Sequence, residues 1–379
     1  MRSTRRSRLS PLAVMALAVA WAVVTVGAAA TSVQAKGHAA SGVVFTMTNS
    51  ALGNAVLAFQ RSAQGHLTFL DSYDTGGTGT GTGLGNQGGV VLDRSGRRLL
   101  VVNAGSDSVS VFGVEPDGLT LLDVAPSGGT LPISVTVHRD LVYVLNAGGD
   151  GNIAGLRLAK NGTLSPLAGS TQPLSGTGTA PAQIAFSPTG RFLVVTEKMT
   201  NTLVTYAVGH DGLPGGPIVT PSEGDTPFGF SFGHRDRLFV SEAFGGALEA
   251  SAVSSYDLDK DGILHPITSS LPTHQTAACW LVVTRNGRYA YTTNTGSASV
   301  TGLALARNGT VRLLDADGFT AQAGNTPIDA ALSRNARFLY VLNGGDGSLS
   351  AYRVSAHGSL TPLPGVNGLP AGTNGLAAR

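Results

Sequence analysis

A unit of about 49 residues recurs seven times along this chain, and no other feature limits its fold so tightly. The stretch Pro181 to Tyr206, PAQIAFSPTGRFLVVTEKMTNTLVTY, shows the unit plainly. A small apolar segment is followed by the turn Pro188-Thr189-Gly190, an apolar strand from Phe192, and an alternating strand from Thr202. A hairpin at Asp211-Gly212 then predicts a fourth strand.

Two signals keep step through the chain. The second strand of each unit runs to Asn49, Asn103, Asn146, Glu197, Glu242, Asn294 and Asn343. The hairpin between the last two strands falls at Gln64-Gly65, Asp117-Gly118, Asn161-Gly162, Asp211-Gly212, Asp261-Gly262, Asn308-Gly309 and His357-Gly358. Four strands per unit at this spacing are the signature of propeller blades. The first unit opens directly on its second strand, whereas the C-terminal GTNGLAAR resembles the inner strands of other units. The last strand should therefore complete the first blade, leaving no open sheet edge. The reading is all-β: a seven-bladed β-propeller of four-stranded antiparallel blades, occupying residues 43–379 and closed by the C-terminal strand.

The N-terminus reads differently. Arg2, Arg5, Arg6 and Arg8 precede an apolar run from Pro11 to Ala30 and the small-residue site Val33-Gln34-Ala35. That pattern predicts a signal peptide over 1–35, a short linker over 36–42 and a secreted or periplasmic protein, with an uncleaved anchor as the alternative. No later segment is apolar enough to span a membrane. Cys279 is the sole cysteine, so no internal disulfide can form and the core alone must hold the fold. The formal charge is +2 with no basic block beyond the leader, which argues against nucleic acid as a partner. A monomer is expected.

Strand direction places the residues that leave each second strand and those that enter each inner strand on one rim of the central channel. Asn at the end of a second strand caps a turn well, and Glu does so poorly. Glu197 and Glu242, in adjacent units, break the Asn series, and Lys198 follows the first of them. Two carboxylates and a cation at a channel mouth could activate water and stabilise an oxyanion, which makes Glu197, Glu242 and Lys198 the candidate catalytic residues. The opposing reading is structural: the two Glu hold blades together by hydrogen bonds or ion pairs. Gln183, His274, Asp329, Asn146 and Asn294 share the rim and are candidate substrate-binding residues, with Trp280 expected near the channel.

Other motifs carry less. The tract TGGTGTGTGLGNQGG, Thr75 to Gly89, reads as a flexible rim loop and lacks the strand-to-helix setting of a phosphate loop. Asp257 to Gly262 imitates a calcium loop, but Thr268 stands where the closing Glu belongs and the segment coincides with a blade hairpin. No metal-ligand spacing and no cofactor motif is present.

The stretches AQIAFSPTGRFLVV, RFLYVLN and RYAYTTN, with the repeated Asn/Asp-Gly hairpins, resemble the lactonase family of seven-bladed propellers with YVTN-type repeats. That family includes 6-phosphogluconolactonases and 3-carboxymuconate cyclase-like proteins, and the resemblance covers Val43 to Arg379. It implies a hydrolase or isomerase acting on a lactone or carboxylate ligand at the channel mouth. Family members usually carry a His-Pro-His motif, which here reads Ala180-Pro181-Ala182. Their Asp-Leu-Gly-x-Asp motif reads Glu197-Lys198-Met199-Thr200-Asn201. The alternative is a non-catalytic extracytoplasmic propeller that holds an envelope protein or a glycan on the same rim.

Overall fold

The computed structural model describes residues 42–379. The expected signal peptide over 1–35 and the expected linker up to residue 41 lie outside these residues. Among the described residues no helix is long and apolar enough to cross a membrane.

Seven antiparallel sheets follow one another around a central channel, each with its earliest strand innermost except in the first blade. Blade four is typical: Pro181–Phe186 is innermost, then Phe192–Glu197, Thr202–Ala207 and the outer Ile218–Pro221. The second strand FLVVTE is buried throughout, because both faces of a blade's sheet pack on neighbouring blades. Burial relaxes outward, so the outer strand Leu67–Asp74 of blade one is mostly exposed. In blades three and six the outermost strand is broken in two: Leu164–Pro166 with Gln172–Pro173, and Val311–Leu313 with Ala321–Gln322.

The hairpin glycines explain why the two sequence signals keep step. Gly262 has φ +89°, and a Cβ there would lie 2.9 Å from the Phe192 ring of the preceding blade. Phe192 is the first residue of that blade's second strand, and the hairpins at Gly65, Gly212, Gly309 and Gly358 likewise dock where the neighbouring second strand begins. Hydroxyls of the preceding blade fasten the hairpin carbonyls: Tyr143 donates to Gly212 at 2.7 Å, Tyr291 to Gly358 at 2.7 Å and Tyr340 to Gly65 at 2.9 Å. Glycine is required twice over, for the positive φ and for the close approach.

Closure follows the sequence reading. Asn374–Ala378 pairs antiparallel with Gly42–Met47, matching Val44 with Ala378 and Thr46 with Leu376. The Arg379 amide adds a hydrogen bond of 2.8 Å to the Val43 carbonyl. In blade one the second strand stops at Met47, so Asn49 lies beyond it, at φ +49°. The other six second strands end on the Asn or Glu the sequence singles out.

Candidate functional site

The two carboxylates that break the Asn series are enclosed inside their blades. Glu197 is fully buried and accepts hydrogen bonds from the Ser175 amide at 2.9 Å, the Ser175 hydroxyl, Thr200 Oγ1 at 2.8 Å and Thr202 Oγ1 at 3.0 Å. Glu242 is equally buried and accepts from the Gly224 amide at 3.0 Å, Ser254 Oγ and Ser270 Oγ at 2.8 Å. Burial pushes the Glu242 carboxyl up, against the pull of those hydrogen bonds. The Asn residues at the same position do the complementary job. Asn294 donates to Ser299 Oγ and Thr301 Oγ1, both at 2.9 Å, while Asn146 donates to Asn152 Oδ1 at 2.8 Å and Ser127 O at 3.3 Å. Both Asn side chains are fully buried. The longer Glu side chain lets blades four and five also reach the backbone of the incoming segment, at Ser175 and Gly224. Glu197, Glu242 and Asn146 tie their blades to the segments that feed them, whereas Asn294 binds the next strand of its own blade.

The channel mouth is built from other groups. The Gly/Thr tract is not a loose rim loop along its whole length. Its second half folds across the channel and touches blades three, four and six. Lys198 Nζ donates to Gly85 O at 2.6 Å, Trp280 Nε1 to Asn86 O at 2.6 Å, and Asn86 Nδ2 to Ile133 O. Gln87 crosses to blade six, donating from Nε2 to Leu281 O at 2.9 Å and accepting from the Leu281 amide at 3.1 Å. Blade two loses the upper part of its inner strand in consequence, keeping only Val90–Leu92.

Lys198 stands beside this crossing. Its ammonium lies 4.8 Å from the centre of the Phe228 ring, and Phe228 packs on Trp280 with ring centres 4.9 Å apart. Ala182, Ala243 and Cys279 complete that apolar cluster, with Ile328 and Ala277 against it. Burial holds the Lys198 amine down at about 8 and pushes the Cys279 thiol up to about 12. Among the described residues Lys198 is also the one Lys or Arg in the loops of this face, among Asp107, Asp150, Glu223, Asp225, Glu249 and Asp346.

Gln183 and Asp329 lie deeper, on the wall of a channel cavity of about 280 Å³ that also touches Gln87, Val91 and Val282. Gln183 bridges to blade five through Phe230, donating at 3.0 Å to its carbonyl and accepting at 2.7 Å from its amide. Asp329 accepts from its neighbour's amide, Ala330 N, at 2.7 Å, and burial pushes its carboxyl well above the usual range. An Asp that binds its proton more tightly folded than unfolded stabilises fully below its ordinary pKa near 4 and loses that contribution as pH rises. Asp329→Asn is therefore expected to melt higher than wild type at pH 8, with the gap closing at pH 4. Equal gaps at both pH values would refute the assignment of a buried proton to Asp329. His274 is exposed on the rim at φ +57°, in the loop entering blade six. Among the described residues no group of three or more His, Cys, Asp or Glu side chains is placed to hold a metal ion.

The profile of the seven-bladed β-propeller lactonases matches residues 38–172 and 150–243, more than half of the chain. The chain belongs to the lactonase family of seven-bladed β-propellers. This lactonase-family propeller superposes on the periplasmic gluconolactonase of Pseudomonas aeruginosa with a TM-score of 0.71, at 16% identity over 89% of this chain and 98% of that one. A 6-phosphogluconolactonase candidate from Bacteroides uniformis gives 0.70 at 17% identity, covering 89% and 99%. A protein from Lactobacillus plantarum gives 0.70 at 18%, with the same coverage. At such identities the likeness concerns the fold. No curated protein sequence matches the chain. Within the family's architecture, sequence reading found Lys198, Gln183 and Asp329 at the channel and missed Asn86, Gln87 and Phe228. The available signal was the length of the Gly/Thr tract, far more than a blade-to-blade connection needs.

Proposed function

We propose that this lactonase-family propeller hydrolyses a neutral lactone at the Lys198 end of its channel, outside the cytoplasm. The observation that carries the reading is Lys198: one half-buried amine, held down at about 8, at the channel mouth beside the buried Phe228–Trp280 cluster. A lactone can enter the mouth with its carbonyl oxygen toward Nζ. As water adds to the carbonyl carbon, the ammonium stabilises the developing oxyanion; the ring C–O bond then breaks and the ring oxygen leaves as an alcohol. The surrounding acidic rim disfavours an anionic substrate and favours departure of the carboxylate product. A carboxylate substrate fits this rim less well than a lactone. The extracytoplasmic setting is supported by the apolar N-terminal run behind Arg2, Arg5, Arg6 and Arg8.

Lys198→Met is expected to lower turnover on a lactone panel, followed by proton release, by about 10²–10³-fold with the fold intact. In the wild type the protonated amine is the working form, so activity should fall as pH rises through about 8. Full turnover in Lys198→Met would sink the proposal.

A second reading has its own support. Leu52, Met199 and Leu248 are 100%, 73% and 82% exposed, and all three lie in loops of the Lys198 face. Large apolar side chains standing in solvent on one face suit a protein partner. On that reading the propeller is a binding scaffold for an envelope protein or a glycan. Absence of turnover on every lactone, together with partner retention that is lost in Met199→Ser/Leu248→Ser, would favour it.

A further inference from the structure

The face opposite Lys198 carries a basic ring that the lactone chemistry does not use. The turn between first and second strands bears Arg94 in blade two, Arg139 in blade three, Arg235 in blade five, Arg285 in blade six and Arg334 in blade seven. Arg379, directly after the closing strand, occupies the matching place in blade one. In blade four Pro188 stands at this position, and the turn carries its arginine at Arg191 instead. Repetition of an apolar residue would be packing; repetition of an exposed cation around a channel opening concentrates positive potential there.

Three of these side chains converge. Arg285, Arg334 and Arg379, from three consecutive blades, line one hollow of about 330 Å³ with Asn335 and Arg61. Two are braced from the side by the blade-two turn: Arg334 Nη1 donates to Ser95 O and Arg379 Nη1 to Gly96 O, each at 3.2 Å. Arg61 holds the terminal Arg379 O at 3.2 Å. Among the described residues no carboxylate forms an ion pair with Arg285, Arg334 or Arg379, and residues 1–41 contain no Asp or Glu that could. The acids nearest in sequence to the ring are committed elsewhere. Asp93 accepts from the Arg97 and Arg98 amides, Asp140 pairs with Arg157 at 2.8 Å, and Asp236 lies 3.8 Å from Arg191. The basic surface continues outward into a second hollow, about 760 Å³, bearing Arg235, Arg237, Arg288 and Arg307.

We propose that Arg285, Arg334 and Arg379 form a binding site for a phosphate group. Three guanidinium forks from three blades match the several terminal oxygens and the charge of a phosphate better than a single planar carboxylate, which one fork satisfies. The phosphate can belong to a soluble phosphate ester or to a lipid headgroup. Both sources present the same oxygens to the same forks.

The test uses the folded propeller at physiological salt with two probes: glycerol 3-phosphate by calorimetry, and phosphatidylglycerol/phosphatidylcholine vesicles by flotation. The Arg285→Gln/Arg334→Gln variant is compared with a control of equal charge, Lys160→Gln/Arg312→Gln, placed away from the hollow. Binding should weaken at least about tenfold in the first variant and stay within about twofold of wild type in the control. Loss in the calorimetric arm identifies a soluble ester; loss confined to the vesicle arm identifies a lipid headgroup. Equal weakening in both variants, which would mean charge without a site, overturns the proposal, as does failure of wild type to bind either probe.

Discussion

Replacing Glu197 with alanine is expected to destabilise the propeller by about 3–5 kcal/mol. The reason is the number of donors left behind. The Ser175 amide and hydroxyl, Thr200 and Thr202 all point at this carboxylate, in a place that water does not reach. Hydroxyls can turn to other acceptors, but the Ser175 amide cannot. Glu197→Gln should do less harm, since it keeps one carbonyl oxygen for that amide and the hydroxyls can rotate to accept from its new NH2. Urea unfolding followed by circular dichroism separates the variants. A Glu197→Ala protein within about 1 kcal/mol of wild type would contradict the structural role. The same pair of variants speaks to catalysis, because a folded Glu197→Gln protein that still turns over lactone leaves Lys198 as the working group.

Deleting residues 374–379 should have the larger effect. These residues form the inner strand of blade one and supply its only partner on the channel side of Gly42–Met47. Without them Val44 and Phe45, now buried, would sit on an unpaired strand with free amides and carbonyls. Such an edge recruits other chains. Wild type should elute as a single species and unfold cooperatively; the truncated protein should elute as aggregate or lose its sharp transition. A peptide spanning 372–379, added during refolding, should recover part of the monomer. Monomeric elution with an unchanged melt would show that the ring does not depend on closure.

How far the fold and site could be read beforehand differs from residue to residue. The blades were legible because local chemistry dictates them: Asp261-Gly262 must turn, and FLVVTE has no polar face to offer solvent. Closure was legible because the first unit lacked a strand that the last residues resembled. The Glu197 and Glu242 anomaly was also visible, but its meaning was not. A strand-end side chain can point into its own blade or out to the channel, and the choice depends on Ser175 and Gly224, which approach from a loop whose path no pattern foretells. The crossing at Leu84–Gly88 was hidden for a related reason. Glycine and threonine impose almost no local preference, so that segment takes its course from partners nearly two hundred positions away, at Trp280 and Leu281. The arginine ring stood in the sequence throughout, spread over five turns and the residue after the closing strand, and became a feature only when the blades were set side by side.

The pairing that closes the ring also brings the ends of the propeller together. Gly42 lies against Arg61 and Arg379, so the chain enters and leaves on the arginine side. A tag fused directly after Arg379 would start from that side. A protein immobilised through such a tag on a sensor chip would therefore offer the Lys198 mouth to the solution and shade the arginines. Orientation alone would make one candidate ligand site easy to assay and the other nearly invisible. The arginine site should be measured with the protein free in solution.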